Sequence, residues 1–194
     1  MTLMNVKSAI QTGDAEALRR LLAADPSLAN QLILWGPNDQ NITHPLHFIS
    51  DMLFDGTLPK GREMPLVNAL LEAGADLDFR AQGTGETGLI GAASLGAEDV
   101  GIRLLAAGAD PRLRGLFGAT GLHWAALLGL RQLASRLIPV SDLDLKDDKY
   151  NSSALGWAIH GLCNPPNGGQ REIANLLIAA GAKIEPEQAA TLRL

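Results

Sequence analysis

All four histidines of this 194-residue chain, with one aspartate, make up the arrangement in which side-chain chemistry is easiest to imagine. His47 and Asp51 stand four residues apart, a spacing that stacks them on one face of a helix, and His44 lies one turn earlier. His123 and His160 come from later segments. Imidazole and carboxylate together could pass protons as general acid and base, or hold a metal ion. The spacing favours neither strongly. No His-x-x-x-His or Cys-x-x-Cys pair is present, so neither a metal nor a cofactor is expected. Residues 83–87 (Gly-Thr-Gly-Glu-Thr) have the glycines of a phosphate loop but lack its lysine, and read as a turn into a helix. Cys163 is the single cysteine; it excludes an internal disulfide and is read as a structural thiol.

Bulk composition narrows the partners. Hydrophobic residues make up 46% and charged ones 19%, which suits one folded domain rather than a disordered chain. A net charge of −5 with scattered Lys and Arg offers no field for phosphate, so nucleic acid is not an expected partner. The start carries one lysine and no long apolar run, and about 18 consecutive apolar residues occur nowhere. No membrane association is expected, and the expected compartment is cytoplasmic.

The histidines must be positioned by something, and a repeat supplies it. Residues 87–93 (Thr-Gly-Leu-Ile-Gly-Ala-Ala), 120–126 (Thr-Gly-Leu-His-Trp-Ala-Ala) and 153–159 (Ser-Ala-Leu-Gly-Trp-Ala-Ile) begin 33 residues apart, and residues 44–50 (His-Pro-Leu-His-Phe-Ile-Ser) begin 43 before the first. Each is followed by a second apolar helical pattern. In three repeats it ends in a glycine stop, at Gly74, Gly108 and Gly181; in the fourth it ends in Leu-Ile-Pro-Val-Ser at 137–141. Thr87 and Thr120 stand where an N-cap oxygen would meet the first unpaired amides. Ala92, Ala93, Ala125, Ala126 and Ala158 are small enough to let neighbouring helices approach. A single helix pair has too little core to be stable, so several must stack.

These motifs resemble the ankyrin-repeat family, in the manner of a small bacterial-type member, whose repeat carries Thr-Pro-Leu-His-x-Ala-Ala and Leu-Leu-x-x-Gly-Ala-Asp. The resemblance covers about residues 5–185. It implies an all-α solenoid of about five helix-turn-helix repeats in one domain. An N-terminal capping helix pair and loop span 5–41, with a long loop around Trp35; repeats span 42–80, 81–114, 115–147 and 148–185, and a C-terminal cap spans 186–194. Loops inserted at 55–64 and 163–170 carry Pro and Gly, and are candidate contact elements. There are departures: only one repeat keeps the motif proline, Pro45, there behind His44 in place of threonine, and Ile90 and Gly156 replace the motif histidine.

The resemblance implies that the first helices line a groove. The positions after the Ala-Ala pair are Asp51, Met52, Ser94, Leu95, Leu127, Leu128, His160 and Gly161, and the motif's next residue gives Phe48, Gly91, Trp124 and Trp157. Phe117 and Tyr150 share a register at the turn tips. The expected function is to bind another protein through Phe48, Asp51, Met52, Ser94, Leu95, Phe117, Trp124, Leu127, Leu128, Tyr150, Trp157 and His160. A small-molecule site or an enzyme using His44, His47, Asp51, His123 and His160 is the alternative. The resemblance weakens it, because it assigns His47 and His123 to bonding with neighbouring backbone.

Overall fold

The computed structural model describes residues 5–162 and 168–192, so Cys163, Pro165, Pro166 and most of the second inserted loop lie outside the described residues. The chain divides into two compact units, Met1–Ala109 and Asp110–Leu194. Eleven helices occur among the described residues, most of them in pairs, and the alternation follows from the sequence. The first helices at 88–94, 121–128 and 154–162 are apolar on nearly every face and carry alanine where helices meet, whereas Pro45–Phe54 is apolar without alanine. Second helices are amphipathic and end at a glycine or proline.

The first unit contains α1 (Val6–Thr12), α2 (Ala15–Ala24), α3 (Pro45–Phe54), α4 (Glu63–Glu72), α5 (Gly88–Ser94) and α6 (Glu98–Ala106). First helices stack on first helices in the order α1, α3, α5, and second helices form a layer in the order α2, α4, α6. The starts are chemically explicit. Asn5 and Ser8 form a reciprocal capping box on α1, Asp14 caps α2 by accepting from the Ala17 amide, and Thr87 accepts from the Ile90 amide on α5. The core between the layers is leucine, isoleucine and alanine: Ile10, Leu18, Leu46, Ile49, Leu66, Leu70, Leu89 and Leu104 are fully buried. Each such side chain contributes roughly 1.5–3 kcal/mol on leaving water.

The segment expected as a plain loop around Trp35 instead carries a β-hairpin. Strand β1 (Ile33–Trp35) pairs antiparallel with β2 (Asn41–Thr43), with Leu34 opposite Ile42. Three-residue strands are too short to show a period, but Ile-Leu-Trp and Asn-Ile-Thr on either side of Gly36-Pro37 are a hairpin composition. The Trp35 ring meets the Phe48 ring edge-on at 5.7 Å. In the inserted loop at 55–62, Leu58 turns inward and is buried, with its amide donating to the Met52 carbonyl at 2.8 Å.

The second unit contains α7 (Gly121–Leu128), α8 (Arg131–Leu137), α9 (Ala154–Leu162), α10 (Gln170–Ala179) and α11 (Pro186–Leu192). It keeps the same two layers: α7 packs on α9 and α9 on α11, while α8 packs on α10. The unusual ending of the fourth repeat becomes a short 3-10 turn at Ile138–Val140, which Pro139 favours by fixing its φ. A Cβ built on Gly161 of α9 would lie 2.5 Å from the Leu127 carbonyl oxygen of α7, so only glycine allows this approach. At Gly108, by contrast, a Cβ would meet nothing within 4 Å, and what requires glycine is φ of +105° at the helix stop.

These two glycines separate crowding from strain. Gly161→Ala should lower unfolding free energy by about 1–3 kcal/mol through forced separation of α7 and α9. Gly108→Ala should cost about 1 kcal/mol through backbone conformation alone. Urea unfolding monitored by circular dichroism checks both, and a neutral Gly161→Ala would contradict the tight crossing.

Candidate functional site

The turn before α9 is organised by one carboxylate. Asp147 is buried and accepts from the backbone amides of Lys149 (2.9 Å), Tyr150 (2.6 Å) and Ser152 (3.0 Å), and from the Trp157 indole N–H at 3.0 Å. Burial pushes its pKa up, but the hydrogen bonds from Tyr150, Trp157, Ser152 and Lys149 outweigh that and hold it below the usual carboxylate range. A single ionised side chain therefore fixes both the tip that carries Tyr150 and the orientation of Trp157. The preceding tip is tied to it. Arg114 donates to the Gly118 carbonyl at 2.7 Å, to the Lys146 carbonyl at 3.0 Å and to the Asp148 carboxylate at 2.8 Å. The Asp148 amide donates to the Phe117 carbonyl at 2.8 Å. Phe117 is held at φ +63°, a left-handed conformation uncommon for an aromatic residue and sustained here by these neighbours.

The result is a continuous aromatic wall. Phe117 and Tyr150 meet edge-on at 5.9 Å, Tyr150 and Trp157 at 6.1 Å, and Trp157 and Trp124 at 5.0 Å; Phe117 and Trp124 lie tilted at 6.3 Å. Edge-to-face packing of this kind adds about 0.5–1.5 kcal/mol per pair beyond buried area, so the wall is stiff. It bounds a groove of about 1110 Å³, also lined by Leu127, Gly156, Ile159 and His160 and closed on the other side by Glu185, Glu187, Gln188 and Thr191 around α11. Trp157 is its floor at 5% exposure, whereas Tyr150 is 59% exposed. Phe117, Trp124, Leu127, Tyr150, Trp157 and His160 are thus brought together in one groove. Leu128 is half-buried and is not part of the lining.

Two expected contact residues are not at a surface at all. Phe48 is 0% and Met52 2% exposed, because the β-hairpin and the Leu58 loop pack against that part of α3. Ser94 and Leu95 lie half-buried at the end of α5, with the Ser94 hydroxyl donating to the Gly91 carbonyl at 3.2 Å. The α11 wall and Asp147 were not singled out as site residues by sequence reasoning. Pro186 marked a helix start, but nothing local says what that helix covers. An aspartate ahead of Tyr-Asn-Ser is a common turn signal whose burial depends on the fold.

The histidines separate by role. His123 is buried, with Nδ1 accepting from the Thr120 amide at 3.2 Å and Nε2 facing the Leu145 carbonyl at 3.2 Å, which requires the neutral ring with its proton on Nε2. Burial lowers its pKa. His44 behaves alike: Nδ1 accepts from the Leu46 amide at 3.3 Å, Nε2 donates to Asn30 Oδ1 at 3.1 Å, and the ring stacks on Phe79 at 5.0 Å. Burial brings its pKa down to about 4.

His47 departs from the motif because the cap before it is His44, which has no hydroxyl to meet it. Its ring lies instead on Gly91, where a Cβ would stand 2.6 Å from Cε1, and its Nε2 faces Asp51 Oδ1 at 3.7 Å. Burial lowers His47 to about 4, and burial, with help from Glu86 and Asp55, raises Asp51 to about 7. Near pH 5.5 both are therefore neutral, and above pH 7 only Asp51 is charged. The pair is not an ion pair at any pH between these values. Among the described residues no group of three or more His, Cys, Asp or Glu could hold a metal ion, and no helix is long and apolar enough to cross a membrane.

A family model described as ankyrin repeats, in three copies, matches residues 89–188, just over half of the chain. No curated protein matches it.

The Asp51 shift has a signed consequence. The unfolded carboxyl loses its proton near 3.8 and the folded one near 7, so the folded state holds the extra proton between them and stability falls as pH rises across that window. His44 and His47 work oppositely, losing stability as pH falls from 6.5 toward 4. Asp51→Asn should therefore be stabilised relative to the parent at pH 8 but not at pH 4, by on the order of 2 kcal/mol in urea melts. A constant difference across pH would contradict the neutral, buried carboxyl.

Proposed function

The chain belongs to the ankyrin-repeat family, whose repeats are generally protein–protein interaction modules, and from that premise we propose that it holds a partner protein in the groove walled by α7, α9 and α11. The observation that carries this reading is the aromatic wall of Phe117, Trp124, Tyr150 and Trp157 along one side of the groove. Stiff aromatics pay little conformational entropy on binding, and they dominate the energetics of contact surfaces. Size points the same way. Pockets for small ligands enclose most of the ligand, whereas this groove, at the upper end of their size range of about 300–1,000 Å³, is open along its length and leaves room for an extended segment.

The histidine and aspartate alternative has less support. His123 spends both ring nitrogens on the fold, His44 does the same, His47 is packed on Gly91, and His160 lines the groove without a hydrogen bond or ion pair to the carboxylates Glu185 and Glu187 that also line it. We take the protein to be cytoplasmic, in keeping with its single cysteine.

A photo-crosslinking amino acid in place of Tyr150 should link the chain to a discrete protein in source-cell extract, while the same group at Val140, equally open but outside the lining, should not. Leu127→Ser should abolish the Tyr150 product. Against the captured partner, Tyr150→Ala should weaken affinity about ten-fold or more. Identical products from both positions would remove the groove as the contact surface.

A further inference from the structure

The chemistry of the groove goes beyond being apolar. The rings that form its wall already attract a cation supplied by the chain itself. The Lys149 ammonium lies 4.2 Å from the Phe117 centroid and 5.3 Å from that of Tyr150, the distance at which a ring quadrupole attracts positive charge. Lys149 stands outside the lining, so the groove itself stays open.

The opposite wall adds negative charge. The charged lining residues are Lys146, Glu185 and Glu187. Lys146 Nζ is bound to Glu185 Oε1 at 3.0 Å, and the two cancel. Glu187 forms no ion pair among the described residues. One carboxylate with no ion pair therefore lines the same groove as a row of electron-rich rings. A neutral apolar segment would use the rings and ignore the carboxylate. An anionic one would be repelled inside the groove by Glu187 and by the ring faces, and the cation that could hold it, Lys149, stands outside the lining. A planar guanidinium uses both, by stacking on an aromatic face and donating to the carboxylate.

We propose that the groove recognises a partner segment through an arginine side chain, which lies along Trp124 and Tyr150 and pairs its guanidinium with Glu187. This rests on the groove being the binding surface and adds the charge of what binds there. Lysine is a poorer fit, since its compact ammonium is more strongly hydrated and does not stack.

The test uses the full chain labelled with 15N and follows the indole N–H signals of Trp124 and Trp157, with Trp35 as the internal reference. Two blocked peptides are titrated: Leu-Ala-Arg-Ala-Leu, and the same peptide with citrulline, which keeps the shape and removes the charge. The arginine peptide is expected to shift the Trp124 and Trp157 signals saturably and to bind at least about five-fold tighter than the citrulline peptide. Glu187→Gln, an exposed change on α11, should narrow that gap to under about two-fold without moving the Trp35 signal. Equal binding of the two peptides overturns the arginine proposal and leaves the groove reading standing. A gap that survives Glu187→Gln overturns the pairing assigned to it. If neither peptide moves Trp124 or Trp157, the arginine proposal falls, and crosslinking from position 150 decides independently whether the groove binds protein.

Discussion

The second unit depends on how closely α9 lies against α7. Gly161 lets the α9 backbone come within van der Waals contact of the Leu127 carbonyl, and the fully buried Ala125, Ala126 and Ala158 put no more than a methyl group each into the core of these helices. Trp124 and Trp157 lie on these helices, and the close crossing brings their rings into edge-to-face contact. A wider crossing would pull the indoles apart and replace the aromatic wall with two isolated surface rings. The helix approach is thus the condition for the groove as well as for the core.

The Asp147 carboxylate converts that packing into a presented surface. Its four donors are the tip amides of Lys149, Tyr150 and Ser152 and the Trp157 indole, so the tip cannot move without breaking a charge-assisted bond to the floor of the groove. Arg114 extends the restraint to the neighbouring tip, where Phe117 holds a left-handed backbone. Exposed aromatic side chains on free loops would lose much of any binding energy to ordering; here the ordering is already done by the fold.

In the first unit the same architecture handles polar groups by neutralising them. His44 takes a cap position with one tautomer, and His47 and Asp51 sit close together with shifts in opposite directions, so that neither carries charge in mildly acidic water. Residues that in isolation suggest proton chemistry are accommodated as neutral packing partners. Burial dominates each of their shifts, and the carboxylates Glu86 and Asp55 add to that of Asp51.

The periodic features were legible in the sequence: the 33-residue register, the pairing of a first helix with a second apolar helix, the left-handed stops at Gly74, Gly108 and Gly181, and the N-cap at Thr87. Each depends on residues within one or two turns of each other, or on a pattern repeated often enough to be read. The shared register of Phe117 and Tyr150 was legible for the same reason. The burial of Phe48 and Met52 was not, because it is decided by a hairpin and a loop whose folding back leaves no mark on α3 itself. Nor were the displacement of His47 onto Gly91, the ionised Asp147 hub and the acidic wall from α11. All of these arise where segments distant in sequence meet, and there burial and hydrogen bonding, rather than residue type or spacing, decide what a side chain does.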